Sequence, residues 1–158
     1  MSPASGRTGT PRVSRRGMLL GAVGLAGTGS FALHWFNVGA TVGEGAISVQ
    51  AAHEGVQSGA LTLVDVRRPD EWARTGVPRG AVPLDMRRDD FFQRLRTIGD
   101  AHPDRPIAMI CARGVRSAAL TKRLGQAGFA NILNVPEGML GSGAGPGWLS
   151  QGLPVDIP

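Results

Sequence analysis

The run Pro106-Ile107-Ala108-Met109-Ile110-Cys111-Ala112-Arg113-Gly114-Val115-Arg116-Ser117, continuing to Ala127, sets the reading of this chain. Ile107 to Ile110 has the length and apolar composition of a buried strand. A short polar loop follows and begins with the only cysteine of the sequence. Ser117 to Ala127 then carries a helical pattern, ended by Gly128. A strand, a tight loop and a helix in that order turn the loop's backbone N–H groups towards one point. The helix N-terminus adds partial positive charge there. Both effects favour the thiolate of Cys111, the nucleophilic form of cysteine.

The flanking sequence repeats this alternation of short strand and helix. Ser48 caps a helix reaching about Gln57, with Val49, Ala52 and Val56 on one face and Gly59 at its end. Leu61-Thr62-Leu63-Val64 is a short strand ending at Asp65. Pro69 starts a short helix, and Gly76 to Gly80 is loop. Ala81-Val82-Pro83-Leu84 is an edge strand or strand end, because its proline lacks an N–H. Asp89 to Ile98 reads as an amphipathic helix with Phe91, Phe92, Leu95 and Ile98 inward. Ile132-Leu133-Asn134-Val135 is a further strand, residues 138–147 are Gly-rich and mobile in character, and Trp148-Leu149 starts a short last helix. The pattern predicts an α/β fold: a largely parallel central sheet of about five short strands with helices on both faces. In such sheets ligands bind beyond the carboxyl ends of the strands, where Cys111 falls.

Charge divides the 158 residues into two parts. The sequence pI near 11.2 suggests a polyanion binder. However, residues 1–43 hold Arg7, Arg12, Arg15 and Arg16 and no acid, which leaves 13 basic against 12 acidic side chains in the remainder. The folded part is therefore close to neutral, and a nucleic-acid partner is not expected. A single cysteine excludes an intramolecular disulfide. His34, His53 and His102 are scattered without metal-ligand spacing, so neither a metal nor another cofactor is expected.

Residues 1–13 have a composition that cannot form a core. Ser14-Arg15-Arg16-Gly17-Met18-Leu19-Leu20 and the Gly-interrupted apolar run to Phe36 describe an export signal. The segment resembles the twin-arginine (Tat) pattern S/T-R-R-x-F-L-K, with Met18 in place of Phe and Leu20 in place of Lys. Residues 1–40 are then a signal with the Tat export machinery as partner and the periplasm as destination. Val38-Gly39-Ala40 offers a cleavage site. Residues 17–36 are also long enough to span a bilayer, so the alternative is an uncleaved inner-membrane anchor facing the periplasm.

Most free cysteines are small buried hydrophobes. The neighbours Arg113, Gly114 and Arg116 point instead to polar loop chemistry around a reactive Cys111. Gly114 permits the turn that aims successive N–H groups inward. A guanidinium fork matches an oxyanion, so Arg113 and Arg116 are candidate anion ligands. For Arg116 the reading is loop closing or anion binding, and a solvated surface charge is the competing reading for both arginines. No histidine lies near Cys111 in sequence, and a thiolate activated by loop and helix dipole needs none.

Five segments, in this order, resemble a single-domain rhodanese, a sulfurtransferase, over about residues 42–158. Leu63-Val64-Asp65-Val66-Arg67 resembles the family's strand end, and Pro69-Asp70-Glu71-Trp72 its following helix start. Gly76-Val77-Pro78-Arg79-Gly80-Ala81 resembles its G-H-I-P-G-A segment, with the His missing and Arg79 added. Cys111-Ala112-Arg113-Gly114-Val115-Arg116-Ser117 resembles its C-x-x-G-x-R-S active loop. Gly147-Trp148 and Gly152-Leu153-Pro154-Val155 resemble its closing segment. The resemblance implies a rhodanese-like fold in which Cys111 carries sulfane sulfur as a persulfide. The sulfur comes from a small anionic donor such as thiosulfate and passes to a thiol or cyanide. It implies substrate contacts from Arg113, Gly114, Val115 and Arg116, and loop support from Asp65, Arg67, Glu71 and Ser117. Where the family has Gly-Gly-x-x-x-Trp, this chain has Glu137 and a longer Gly-rich segment, read as a tolerated insertion or as a lid beside the pocket.

Three other functions compete. A non-turnover persulfide carrier or partner-docking domain would use the same Cys111. A phosphatase or arsenate reductase of related fold has five residues between Cys and Arg; here Cys111 and Arg116 are separated by four, a tighter cradle. A catalytically silent module would not need the intact loop.

Overall fold

The computed structural model describes residues 40–158. The twin-arginine segment, with Arg15 and Arg16, and the apolar run 17–36 lie outside the described residues. In chain order the elements are α1 (Val49–Ser58), β1 (Thr62–Asp65), α2 (Pro69–Thr75), β2 (Val77–Pro78), β3 (Val82–Pro83), α3 (Phe91–Ala101), β4 (Ile107–Ile110), α4 (Val115–Gln126), β5 (Ile132–Val135) and β6 (Val155–Asp156). Among the described residues, no helix is long and apolar enough to cross a membrane.

The central sheet has four strands in the order β3-β1-β4-β5, and every pairing in it is parallel. Asp65 lies opposite Ile110, and Ile110 opposite Val135, so β1, β4 and β5 end together. The remaining two strands, β2 and β6, form a separate antiparallel ribbon. That ribbon lies partly in the segment expected to be loop. Val77 and Pro78 are buried there, and Arg79 meets Asp156 at 3.0 Å.

Side chains on a strand alternate between faces, so each strand feeds two cores. Val64, Met109 and Ile107 pack with Phe91, Leu95, Leu120 and Leu124 of α3 and α4 on one face. Leu63, Ala108, Ile110 and Val135 pack with Val49, Ala52, Met139 and Trp148 on the other. The sheet is thus covered on both sides, as a parallel sheet requires.

Local chemistry explains the element ends. The Ser48 hydroxyl accepts the Ala51 N–H at 3.2 Å and caps α1, and Gly59 closes it with φ of 70°. In α2 the Glu71 carboxylate accepts the Arg68 N–H at 3.2 Å. Three boundaries differ from expectation. Helix α3 starts at Phe91, after turns at residues 89–90, and Phe92 is 43% exposed, lying edge-on to Phe91. Helix α4 starts at Val115, because Gly114 takes the left-handed conformation that opens it. Trp148 and Leu149 lie in turns, not a helix. The buried Trp148 ring is held by its own Nε1–H, which donates to the Pro154 carbonyl at 3.0 Å.

Candidate active site

Cys111 directly follows β4, at the carboxyl end of the sheet, and is 1% exposed. Its Sγ lies 3.4 Å from the Ser117 backbone N and 3.4 Å from Ser117 Oγ. Both donors belong to the first turn of α4, where the N–H groups have no helical acceptor. Ser117 Oγ also lies 3.1 Å from the Gly114 carbonyl. The hydroxyl has one proton and two acceptors, so its direction follows the charge on the sulfur.

Gly114 is required twice. Its φ is 78°, and a Cβ there would collide with the Pro136 carbonyl oxygen. The adjacent Gly-rich segment is fastened to the cysteine loop, and so differs from the mobile insertion its composition suggests. The Met139 N–H donates to the Cys111 carbonyl and the Leu140 N–H to the Ala112 carbonyl, each at 2.9 Å. Ser142 Oγ donates to the Pro136 carbonyl at 2.8 Å. A Cβ on Gly138, whose φ is 65°, would lie 2.7 Å from the Cys111 and Ala112 carbonyl oxygens. Glycine is here a consequence of close backbone approach, and that approach orders the segment.

The arginines of the loop divide. Arg116 forms a bidentate pair with Glu71: Nη2 to Oε1 at 2.6 Å and Nη1 to Oε2 at 2.8 Å. The pair ties α4 to α2. Burial pushes the Glu71 carboxyl up, but the Arg116 hydrogen bond, the Arg68 N–H and both guanidinium charges outweigh it and hold it at about 2. The Glu71 hydrogen bond raises Arg116 above its ordinary value; burial opposes this, and the nearby Cys111 charge adds to it. Arg116 is therefore loop-closing through its two terminal nitrogens, while its charge still reaches the sulfur. Arg113 Nη1 donates to the Gly141 carbonyl at 3.2 Å, on the Gly-rich segment.

The expected supports fall into place around this loop. The buried Arg67 donates Nη2 to Asp65 Oδ2 at 2.6 Å and to the Gly76 carbonyl at 2.6 Å, and Nη1 to Thr75 Oγ1 at 2.7 Å. It joins the end of β1 to the end of α2. Val115 is half-buried as the first residue of α4. Asp85 went unread in the sequence, and Glu137 was read there only as a departure from the family pattern. Asp85 is buried and takes Arg87 Nη2 at 2.6 Å. The Arg87 hydrogen bond holds its carboxyl low against burial, and the Arg116 charge contributes. Glu137 is buried with Oε2 unpartnered, and burial pushes its carboxyl up. A polar residue two positions after a strand was the available signal for both.

Residues 48–142 match the model of the rhodanese-like domain family. Among curated proteins, an uncharacterised protein of Rickettsia prowazekii is 28% identical over 102 residues, covering 58% of this chain and 80% of that one. The solution structure of the polysulfide-sulfur transferase homodimer of Wolinella succinogenes aligns with a TM-score of 0.54 and 30% identity, covering 70% of this chain and 76% of that one. The crystal structure of a Mycobacterium tuberculosis protein, Rv0390, aligns with a TM-score of 0.52 and 28% identity, covering 71% and 96%.

Proposed function

The chain belongs to the rhodanese-like domain family, and on that footing we propose that it is a sulfurtransferase working through a Cys111 persulfide, with thiosulfate or a similar anion as donor. One observation carries this reading. The sulfur of the one cysteine sits at the carboxyl end of a parallel strand, held by two donors at 3.4 Å in the first turn of α4. That arrangement stabilises a sulfur anion before and after transfer.

In the first half-reaction the Cys111 thiolate attacks the outer sulfur of thiosulfate. A Cys111–sulfur bond forms, the sulfur–sulfur bond of the donor breaks, and its electron pair leaves with sulfite. Cys111 is left as the anionic persulfide. In the second, cyanide or a thiolate attacks the terminal sulfur, and the pair from the broken bond returns Cys111 to thiolate. Ser117 N–H and Oγ–H hold the sulfur anion, the Arg116 charge lies near it, and Glu71 fixes Arg116. The four-residue spacing between Cys111 and Arg116 favours sulfur over a tetrahedral phosphate. The similarity to a polysulfide-sulfur transferase supports the same class of chemistry.

Intact mass after thiosulfate treatment tests the proposal. Wild type gains one sulfur atom, which cyanide removes; Cys111→Ala gains none. A sulfur gain on the alanine variant would refute the assignment. Steady turnover with thiosulfate and cyanide separates an enzyme from a carrier that loads once and awaits a protein acceptor. We further propose that residues 1–40 are a Tat signal placing the domain of residues 42–158 in the periplasm.

A further inference from the structure

We propose that the groove beside the cysteine loop is the subsite for the sulfur acceptor, and that it selects a small organic thiol carrying a carboxylate. This rests on the sulfurtransferase reading and deepens it.

The groove has a volume of ≈ 430 Å³. That falls in the range of small-molecule sites. Arg113, two residues after Cys111, forms one wall; Leu140 and Pro146 supply apolar surface, with Gly141 and Gly145 between. Among the described residues, the lining contains a guanidinium and no carboxylate. Leu140 is 43% exposed, unlike its buried neighbour Met139. Glu137 is buried and lies behind Gly145, where a Cβ would be 3.7 Å from Glu137 Cγ.

The groove is also pre-built. Arg113 is pinned to Gly141, and the wall's backbone is hydrogen-bonded to Cys111 and Ala112. An acceptor seated there is fixed relative to the cysteine loop without ordering a flexible segment, which lowers the entropic cost of the encounter. A carboxylate faces Arg113 and the alkyl stem lies along Leu140 and Pro146. The anionic persulfide first takes a proton from water, and the acceptor thiolate then attacks its terminal sulfur. A sulfur–sulfur bond forms to the acceptor, the Cys111–sulfur bond breaks, and its electron pair returns to Cys111 as thiolate. The proton stays on the transferred sulfur, now part of an organic persulfide.

The test separates loading from discharge. The full chain is loaded with thiosulfate, or chemically with inorganic polysulfide if thiosulfate fails. Failure of thiosulfate to load counts against the donor reading and leaves the groove measurable. Discharge is then timed with 3-mercaptopropionate and with its methyl ester, each rate taken per thiolate. A single charge pair at a solvated wall predicts that the acid discharges about fivefold faster than the ester. Leu140→Asp, with sulfur loading confirmed by intact mass, abolishes or inverts that preference, and Leu140→Ala keeps it. Equal rates for acid and ester in the wild type, or an unchanged ratio in Leu140→Asp, would overturn the assignment.

Discussion

At the scale of one residue, Ser117 is the group closest in role to the sulfur. Its side chain is fully buried and its hydroxyl can serve either Cys111 Sγ or the Gly114 carbonyl. When the sulfur is anionic the proton turns to it; otherwise the carbonyl holds it. Ser117→Ala removes this charge-following donor and leaves the backbone N–H in place. A hydrogen bond to a charged atom contributes about 1.5–3 kcal/mol. Persulfide loading from thiosulfate should therefore slow by about tenfold or more at fixed pH, read by mass against time. Ser117→Thr, which keeps the hydroxyl, should recover most of the rate. An alanine variant that loads at the wild-type rate would show the backbone donor to be sufficient. The family resemblance implied loop support for Ser117, at the start of the helix. Only the position of Gly114, which starts α4 two residues earlier, turns its hydroxyl towards the sulfur.

At the scale of elements, the site depends on two arginines that tie segments together. Arg67 links Asp65 at the end of β1 to Thr75 and Gly76 at the end of α2, and Arg116 with Glu71 binds α4 to α2 across 45 residues. The residue types were legible in the sequence, but the second partnership was not: nothing local says that Glu71 faces Arg116. Likewise the glycines of 138–147 read as looseness, because composition does not reveal that Pro136 and the Cys111 and Ala112 carbonyls press against the backbone. The Glu71 pair has a pH signature. Its carboxyl is lowered from 4.5 to about 2 in the folded protein. A depressed acid contributes stability that is present above the unfolded value and lost as pH falls through the folded one. Glu71→Gln should thus lower stability at pH 7 by on the order of 2 kcal/mol, measured by urea unfolding. The gap from wild type should narrow between pH 4.5 and 2 as the native carboxyl protonates. A gap that stays constant with pH would mean that the carboxylate charge is not what holds α2 to α4. Persulfide loading should slow in the same variant, because Arg116 loses its bidentate anchor.

At the scale of the whole molecule, the parallel sheet was readable because β1, β4 and β5 are short, mostly apolar runs, with only the edge strand β3 exposed. The separate ribbon was not. Val77-Pro78 is too short to carry a period, and it becomes a strand only through Val155 and Asp156, far along the chain. On the proposed export reading, charge divides the chain along the same line as function. The excess positive charge lies in residues 1–43, while the remainder is nearly neutral. A basic segment ahead of an apolar run, on a chain whose fold leaves its one cysteine unpaired, fits delivery rather than binding. The paired arginines then have a distinct consequence. Arg15→Lys with Arg16→Lys preserves the charge and the apolar run but removes the twin-arginine pattern. If that pattern directs export, the double variant stays in the cytoplasm while wild type is recovered from the periplasm, as fractionation and immunoblotting would show. Both proteins should load sulfur equally once purified, since the change is remote in sequence from the cysteine loop. Export undiminished by the double substitution would sink the Tat reading and turn attention to residues 17–36 as a simple apolar anchor. Sequencing the N-terminus of the periplasmic form then distinguishes cleavage near Ala40 from retention of that anchor.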